Sequence, residues 1–213
     1  MHPDTKQVAI HMRQYGLAVL GRAAYDLTFS EQTRPYAHAM AIGHAAHGAE
    51  IVIKALIADE HPLLIFNQLP RSVNAEDQLT IAELFEYRRT VQYSELPELL
   101  RATTGIRIRP LKQFLDFGKL RNSIIHFAVP NTGYQGEALR FLFELMEPFV
   151  RHHWGESIVG HAAVWDEYVW EPEGLRPQLE RAGVTIDEGL EFALRKKNYH
   201  YNPKRDVMVL NDN

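Results

Sequence analysis

An arginine, an asparagine and a histidine stand close together in the stretch Gly118-Lys119-Leu120-Arg121-Asn122-Ser123-Ile124-Ile125-His126-Phe127. They are Arg121, Asn122 and His126. An imidazole ordinarily titrates near neutrality, so it can take or give a proton at physiological pH. A guanidinium can grip a phosphate through two parallel N–H···O bonds and stabilise charge that builds there. The pair suits phosphodiester cleavage in RNA, which carries its own nucleophile. Loss of the 2′-OH proton lets that oxygen attack the adjacent phosphorus and expel the 5′-oxygen. The products are a 2′,3′-cyclic phosphate, or the 3′-phosphate after hydrolysis, and a 5′-hydroxyl. This scheme needs no metal.

The element that must position these residues is a helix. Leu111, Phe114, Leu115, Leu120, Ile124 and Phe127 recur at steps of three to five, a helical spacing. Pro110 suits the first turn, and Pro130 lies just past the expected end. Arg121 and His126 point about 140° apart on such a helix, a gap that the long arginine stem partly covers. Asn122 and His126 are four apart and share a face. The Asn122 amide is therefore expected to hold one imidazole nitrogen and set the tautomer, leaving the other nitrogen free.

Arg-Asn-x-x-x-His resembles the Arg-x4-6-His motif of the HEPN superfamily, in which a polar residue often follows the arginine. A second Arg-x4-His pair, Arg195 and His200, lacks that polar follower and lies where the helical pattern fades. The resemblance covers about residues 35–155. It implies an all-helical domain and, in many members, a metal-independent ribonuclease of toxin–antitoxin or phage-defence systems. It also implies a homodimer in which two motif helices meet, so that two arginines and two histidines line one cleft. Partners would be RNA and an antitoxin or nucleotidyltransferase. Glu50-x-x-x-Lys54 resembles a feature of some members on a neighbouring helix, with His47 beside it. One subgroup carries a tyrosine two residues after the histidine; here that position is Ala128, so regulation through that tyrosine does not carry over.

The rest of the sequence sets limits. The chain has 213 residues and a formal charge of −4, so it is large enough for a real core and has no overall field that attracts polyanions. Contact with RNA must come from a local patch. The most basic region holds Arg88, Arg89, Arg101, Arg107 and Arg109 and runs up to the motif helix with Lys119; Arg88, Arg89, Arg109 and Lys119 are the expected RNA contacts. Cysteine is absent, which rules out disulfides, thiol catalysis and Cys-ligated zinc and fits a reducing compartment. No run of apolar residues reaches the ~18 needed to span a bilayer, and the N-terminus has no signal pattern. The expectation is a cytoplasmic protein without membrane contact or cofactor.

The predicted fold class is all-α, an up-and-down helical bundle over residues 1–155 with a C-terminal helical extension, 156–213, and one short strand. A first helix over 4–27 packs on a core of 35–155. The second helix runs from Thr33 or Pro35 to Asp59 and is rich in alanine, which lets helices approach closely. His44, His47, Glu50 and Lys54 give it one polar side. Thr80-Ile-Ala-Glu83 reads as a capping box that starts a third helix ending near Tyr93. Ser94 caps a short helix that stops at Gly105. A further helix spans 135–154. In the extension, helical patterns cover 174–182 and 186–197, the latter capped by Thr185-x-x-Glu188, and Val207-Met-Val-Leu210 reads as a strand. The tail, Lys196 to Arg205, mixes cations and aromatics as single-strand binders do.

Two rival functions remain. A metal-dependent hydrolase would use His44 and His47, or His152, His153 and His161. Neither group has Glu-x-x-His or His-Glu-x-x-His spacing, and His152 and His153 point about 100° apart on a helix. No metal ligands are therefore assigned. A non-catalytic HEPN-like module would use the same surface to hold a protein.

Overall fold

The computed structural model describes residues 3–29, 36–68, 89–127, 133–165, 172–195, 199–202 and 207–210. The expected helix from Thr80, the basic residue Arg88, Ala128 and most of the Lys196–Arg205 tail lie outside them. Among the described residues the protein is all-α apart from one small ladder and one isolated bridge. Its helices are α1 (Pro3–Phe29), α2 (Ala37–Glu60), α3 (Leu96–Thr104), α4 (Leu111–Phe127), α5 (Tyr134–Arg140), α6 (Glu147–Trp154), α7 (Ile158–Ala163), α8 (Arg176–Arg181) and α9 (Glu188–Arg195). A π-helical stretch, Phe141–Met146, joins α5 to α6. The expected strand at 207–210 is present, paired antiparallel with Tyr199–Asn202 in the register Tyr199 to Leu210.

Two compact units divide the chain: Met1–Arg13 with Glu50–Arg107, and Gln14–Ala49 with Ile108–Asn213. Residues 156–195 thus fall in the same unit as 108–155.

In the first unit, Val52, Ile53, Ile57, Ile65, Leu96 and Leu100 form the core. Residues 89–91 are extended, not the end of the expected third helix. Thr90 forms an antiparallel bridge with Phe66, and the Val91 N–H donates to the Ile65 carbonyl at 2.8 Å. Two β-branched residues in succession favour this extended pairing over helix. The helix stop at Gly105 is as expected, with φ of 77° in the left-handed region that glycine adopts without strain. Its start is not capped by Ser94. Gln92 and Glu95 form the box instead, leading through a 3₁₀ turn into α3.

Lys54 is buried in this unit. Its ammonium donates to Glu50 Oε1 at 2.5 Å and to Thr90 Oγ1 at 2.9 Å. It therefore ties α2 to the 89–91 segment. Lys54→Met keeps the apolar stem and removes both bonds, leaving the Thr90 hydroxyl and the Glu50 carboxylate short of a partner. Such a loss costs about 1–3 kcal/mol. The expected readout is a lower urea midpoint with an unchanged m-value; an unchanged midpoint would show that the pair stabilises nothing.

In the second unit, residues 14–29 of α1 and 37–49 of α2 belong to a long α1–α2 hairpin. Its alanine seam is as the sequence leads one to expect: Ala41, Ala45, Ala46 and Ala49 of α2 are buried, as are Leu17, Leu20, Ala23, Ala24 and Leu27 of α1. A Cβ on Gly48 would stand 3.0 Å from the Gly16 carbonyl oxygen and 2.9 Å from Leu20 Cγ. A Cβ on Gly21 would meet the His161 backbone carbon of α7 at 2.4 Å. By length and composition α2 could cross a membrane, yet 61% of its apolar window is buried in the fold, as befits a core helix. No single unbroken apolar run announces this because alanines and glycines are interspersed with His44, His47 and Glu50.

Charged groups join the later helices. Glu144 accepts from the Thr185 N–H at 2.8 Å, and Arg140 donates to the Ala182 carbonyl at 2.7 Å. The cap of α9 is Asp187, whose Oδ1 accepts from the Leu190 N–H at 2.7 Å, not the expected Thr185, whose N–H goes to Glu144.

Candidate functional site

Helix α4 is fixed by aromatic packing at its start and middle. Phe117 stacks on Phe141 with ring centres 3.8 Å apart, and Phe114 tilts against the same ring at 6.3 Å. Phe114, Phe117, Gly118 and Ile124 are its buried residues. They define a stripe at i, i+3, i+4 and i+10. Of the six residues that carry the helical spacing, only Phe114 and Ile124 belong to this buried set. Leu115 and Leu120 are half-buried, and Leu111 and Phe127 are 46% and 78% exposed. The reason is that α4 rests on one narrow face against Phe141, so apolar residues off that face stay in solvent.

Arg121 lies seven residues after Phe114, on the buried stripe near its C-terminal end, and is half-buried. Asn122 and His126 lie together on the neighbouring exposed face, as their i,i+4 spacing requires. The hydrogen bond is not the expected one. Arg121 Nη1 donates to Asn122 Oδ1 at 3.0 Å. Among the described residues no hydrogen bond joins Asn122 to His126. The amide oxygen thus holds the guanidinium, and the imidazole stands in solvent.

Ile125 adds a second feature. It is 52% exposed, and its Cδ1 lies 3.9 Å from the place where a Cβ on Gly43 would be. The C-terminal part of α4 therefore passes the face of α2 that carries Gly43. His47, one turn further along α2, is half-buried, and its ring meets the Tyr15 ring edge-on at 6.0 Å. Met40, one turn earlier, is 60% exposed. Neither Tyr15 nor Gly43 stands out in the sequence, because neither carries a charge or a motif.

Glu50 and Lys54 are brought together, with Thr90, in the other compact unit. Of the expected RNA contacts, Arg89, Arg109 and Lys119 are exposed. Lys119 donates to Asp116 Oδ1 at 2.9 Å, and Lys112 donates to Asp116 Oδ2 at 2.5 Å. Those hydrogen bonds hold the Asp116 carboxyl below the usual carboxylate range and raise Lys112 above the usual lysine range. Asp116 thus offsets part of the positive charge that Lys119 brings to this face.

The histidines considered as metal ligands are arranged differently from a cluster. His152 and His153 rings lie 4.8 Å apart at 81°, with His153 packed on Phe149 at 4.6 Å. Burial, then the neighbouring His152, lowers the His153 pKa. His161 Nε2 pairs with Glu156 Oε2 at 2.9 Å. Among the described residues, no group of three His, Asp or Glu side chains is placed to hold a metal ion.

Compared with known proteins, the chain matches no family model, no curated protein and no solved structure.

Proposed function

We propose that this protein is a metal-independent endoribonuclease of the HEPN type, built on an up-and-down helical bundle and acting as a cytoplasmic toxin or phage-defence effector. The observation that carries the reading is the end of α4, where Arg121, held by Asn122, and solvent-facing His126 lie within six residues of one another. His126 acts as base and acid, taking the 2′-OH proton and giving a proton to the leaving 5′-oxygen. Arg121 pairs with the phosphate, and Asn122 keeps its planar fork oriented. Arg109 and Lys119, in the same compact unit, supply exposed positive charge for the RNA backbone. Glu50 and Lys54 support the fold through Thr90.

One arginine and one histidine make a sparse active site. Ile125 and Phe127 are exposed beside them, an apolar margin suited to a second copy of the motif helix across a two-fold axis. In that dimer each site gains a second Arg–His pair.

The test is cleavage of a single-stranded RNA. EDTA leaves the rate unchanged, products carry 2′,3′-cyclic phosphate ends, and replacing the 2′-OH at the cut site with hydrogen stops the reaction. Cleavage of the deoxy-substituted strand, or activity that EDTA abolishes and a divalent ion restores, contradicts the mechanism.

The same exposed apolar pair favours one second reading, a non-catalytic module that binds an antitoxin or another protein through α4. It predicts a stable complex and no cleavage by the isolated chain.

A further inference from the structure

Glu147 is a carboxyl group with 0% exposure, in the first turn of α6. It accepts from the Ser157 hydroxyl at 2.7 Å and from the Ile158 N–H at 2.6 Å, at the start of α7. Its one cationic neighbour among the described residues is Arg151, one turn along the same helix, whose Nε stands 3.5 Å from Glu147 Oε1. That Nε is buried without a hydrogen bond, so the ion pair is stretched. The guanidinium is engaged elsewhere: Nη2 donates to Asp187 at 2.9 Å and 2.6 Å. Asp187 in turn caps α9 through the Leu190 N–H. The Arg151 guanidinium lies over Gly189, where an added Cβ would fall 2.5 Å from Cζ.

Two carboxylates therefore share one arginine, and the exposed one has the better geometry. We propose that docking of α9 onto α6 through Asp187 is coupled to uptake of one proton by Glu147, so that acid tightens this attachment and alkali loosens it.

The neutral acid fits the site as well as the anion does. Its hydroxyl donates to Ser157 Oγ while the other oxygen still accepts from the Ile158 N–H, so both Glu147 oxygens keep a partner. The anion needs Arg151, which Asp187 holds. The charged groups facing Glu147 are Arg151 from α6 and Asp187 from the start of α9. Glu144, one turn before it, is bonded to the Thr185 N–H, and Glu156 beside Ser157 is paired with His161.

The titration shifts agree in direction. Burial pushes Glu147 up to about 7, against the opposing effects of Ser157, Ile158 and Arg151, with Asp187 adding to the rise. For Asp187, partial burial raises the pKa, but the Arg151 hydrogen bond and the Leu190 and Gly189 amides outweigh it and hold the group below its usual range. Because the folded pKa of Glu147 is raised, its contribution to stability is complete below the ordinary glutamate pKa and is lost as pH rises through about 7. Linkage is reciprocal: if Asp187 raises the proton affinity of Glu147, protonation of Glu147 must favour the Asp187 contact by the same factor.

The test follows the carboxyl carbons of the full-length, ¹³C-labelled protein by NMR, with thermal unfolding from pH 5.5 to 8.5. Glu147→Gln mimics the neutral acid. Asp187→Asn keeps the cap oxygen and removes the charge. In the wild type, one glutamate titrates near neutrality, and Asp187→Asn moves that midpoint to lower pH. The wild-type midpoint temperature falls from acid to alkaline pH more steeply than that of Glu147→Gln. A midpoint that Asp187→Asn leaves in place, or the same slope in wild type and Glu147→Gln, overturns the proposal. If Glu147→Gln does not fold, the Asp187→Asn titration alone decides.

Discussion

His126→Ala is expected to lower the rate of the proposed RNA cleavage by at least about 10²–10⁴-fold, the usual contribution of a positioned general acid or base. The fold is not expected to change with it. His126 is exposed and has no hydrogen-bond partner among the described residues, and surface truncations of this kind stay within about 0.5 kcal/mol. A purified His126→Ala variant therefore melts with the wild type while its activity is lost, which separates chemistry from stability. Arg121→Ala acts similarly on rate. Arg121→Lys restores only part, because an ammonium lacks the planar fork that pairs with a phosphate bidentately. His200→Ala, at the other Arg-x4-His spacing, cleaves like the wild type. Wild-type activity in His126→Ala would falsify the assignment of the site.

Gly21→Ala has the largest expected effect on stability. The new methyl would stand 2.4 Å from the carbonyl carbon and 2.6 Å from the carbonyl oxygen of His161. These are backbone atoms, so no rotamer change relieves the contact, and α1 and α7 must separate. Overpacking of this kind costs about 1–3 kcal/mol and occasionally more. For a chain of this size each kcal/mol lowers the melting temperature by roughly 2–4 °C. Gly48→Ala gives a graded control. Its closest neighbours are Leu20 Cγ at 2.9 Å and the Gly16 oxygen at 3.0 Å, partly a side chain that can turn away. A melting temperature for Gly21→Ala equal to that of Gly48→Ala, or to that of the wild type, would show that the α1–α7 approach is looser than these distances.

The all-helical class follows from local sequence alone. Pro110, Gly105 and the alanine-rich run of α2 set element type and ends through backbone geometry and propensity, which depend on neighbours a few residues away. The i,i+4 relation of Asn122 and His126, and the exposure they share, follow from helix periodicity in the same way. Periodicity marks α4 as a helix but does not say which of its apolar residues are buried. Leu111 and Phe127 fit the repeat, yet only contact with Phe141 decides the face, and Phe141 is distant in sequence. The partner of Asn122 was likewise settled by rotamers in three dimensions, since the guanidinium and the imidazole both lie within reach of one amide. Thr90 shows the strongest tertiary effect. A segment next to a capping-box signal is extended because Ile65, Phe66 and buried Lys54 offer its backbone and hydroxyl partners that no local rule contains. Glu147 gives no sequence signal beyond a charge in an apolar run. Its complete burial, and the arginine it shares with Asp187, exist only once α6, α7 and α9 are packed, because desolvation is a property of the assembled core and not of the chain.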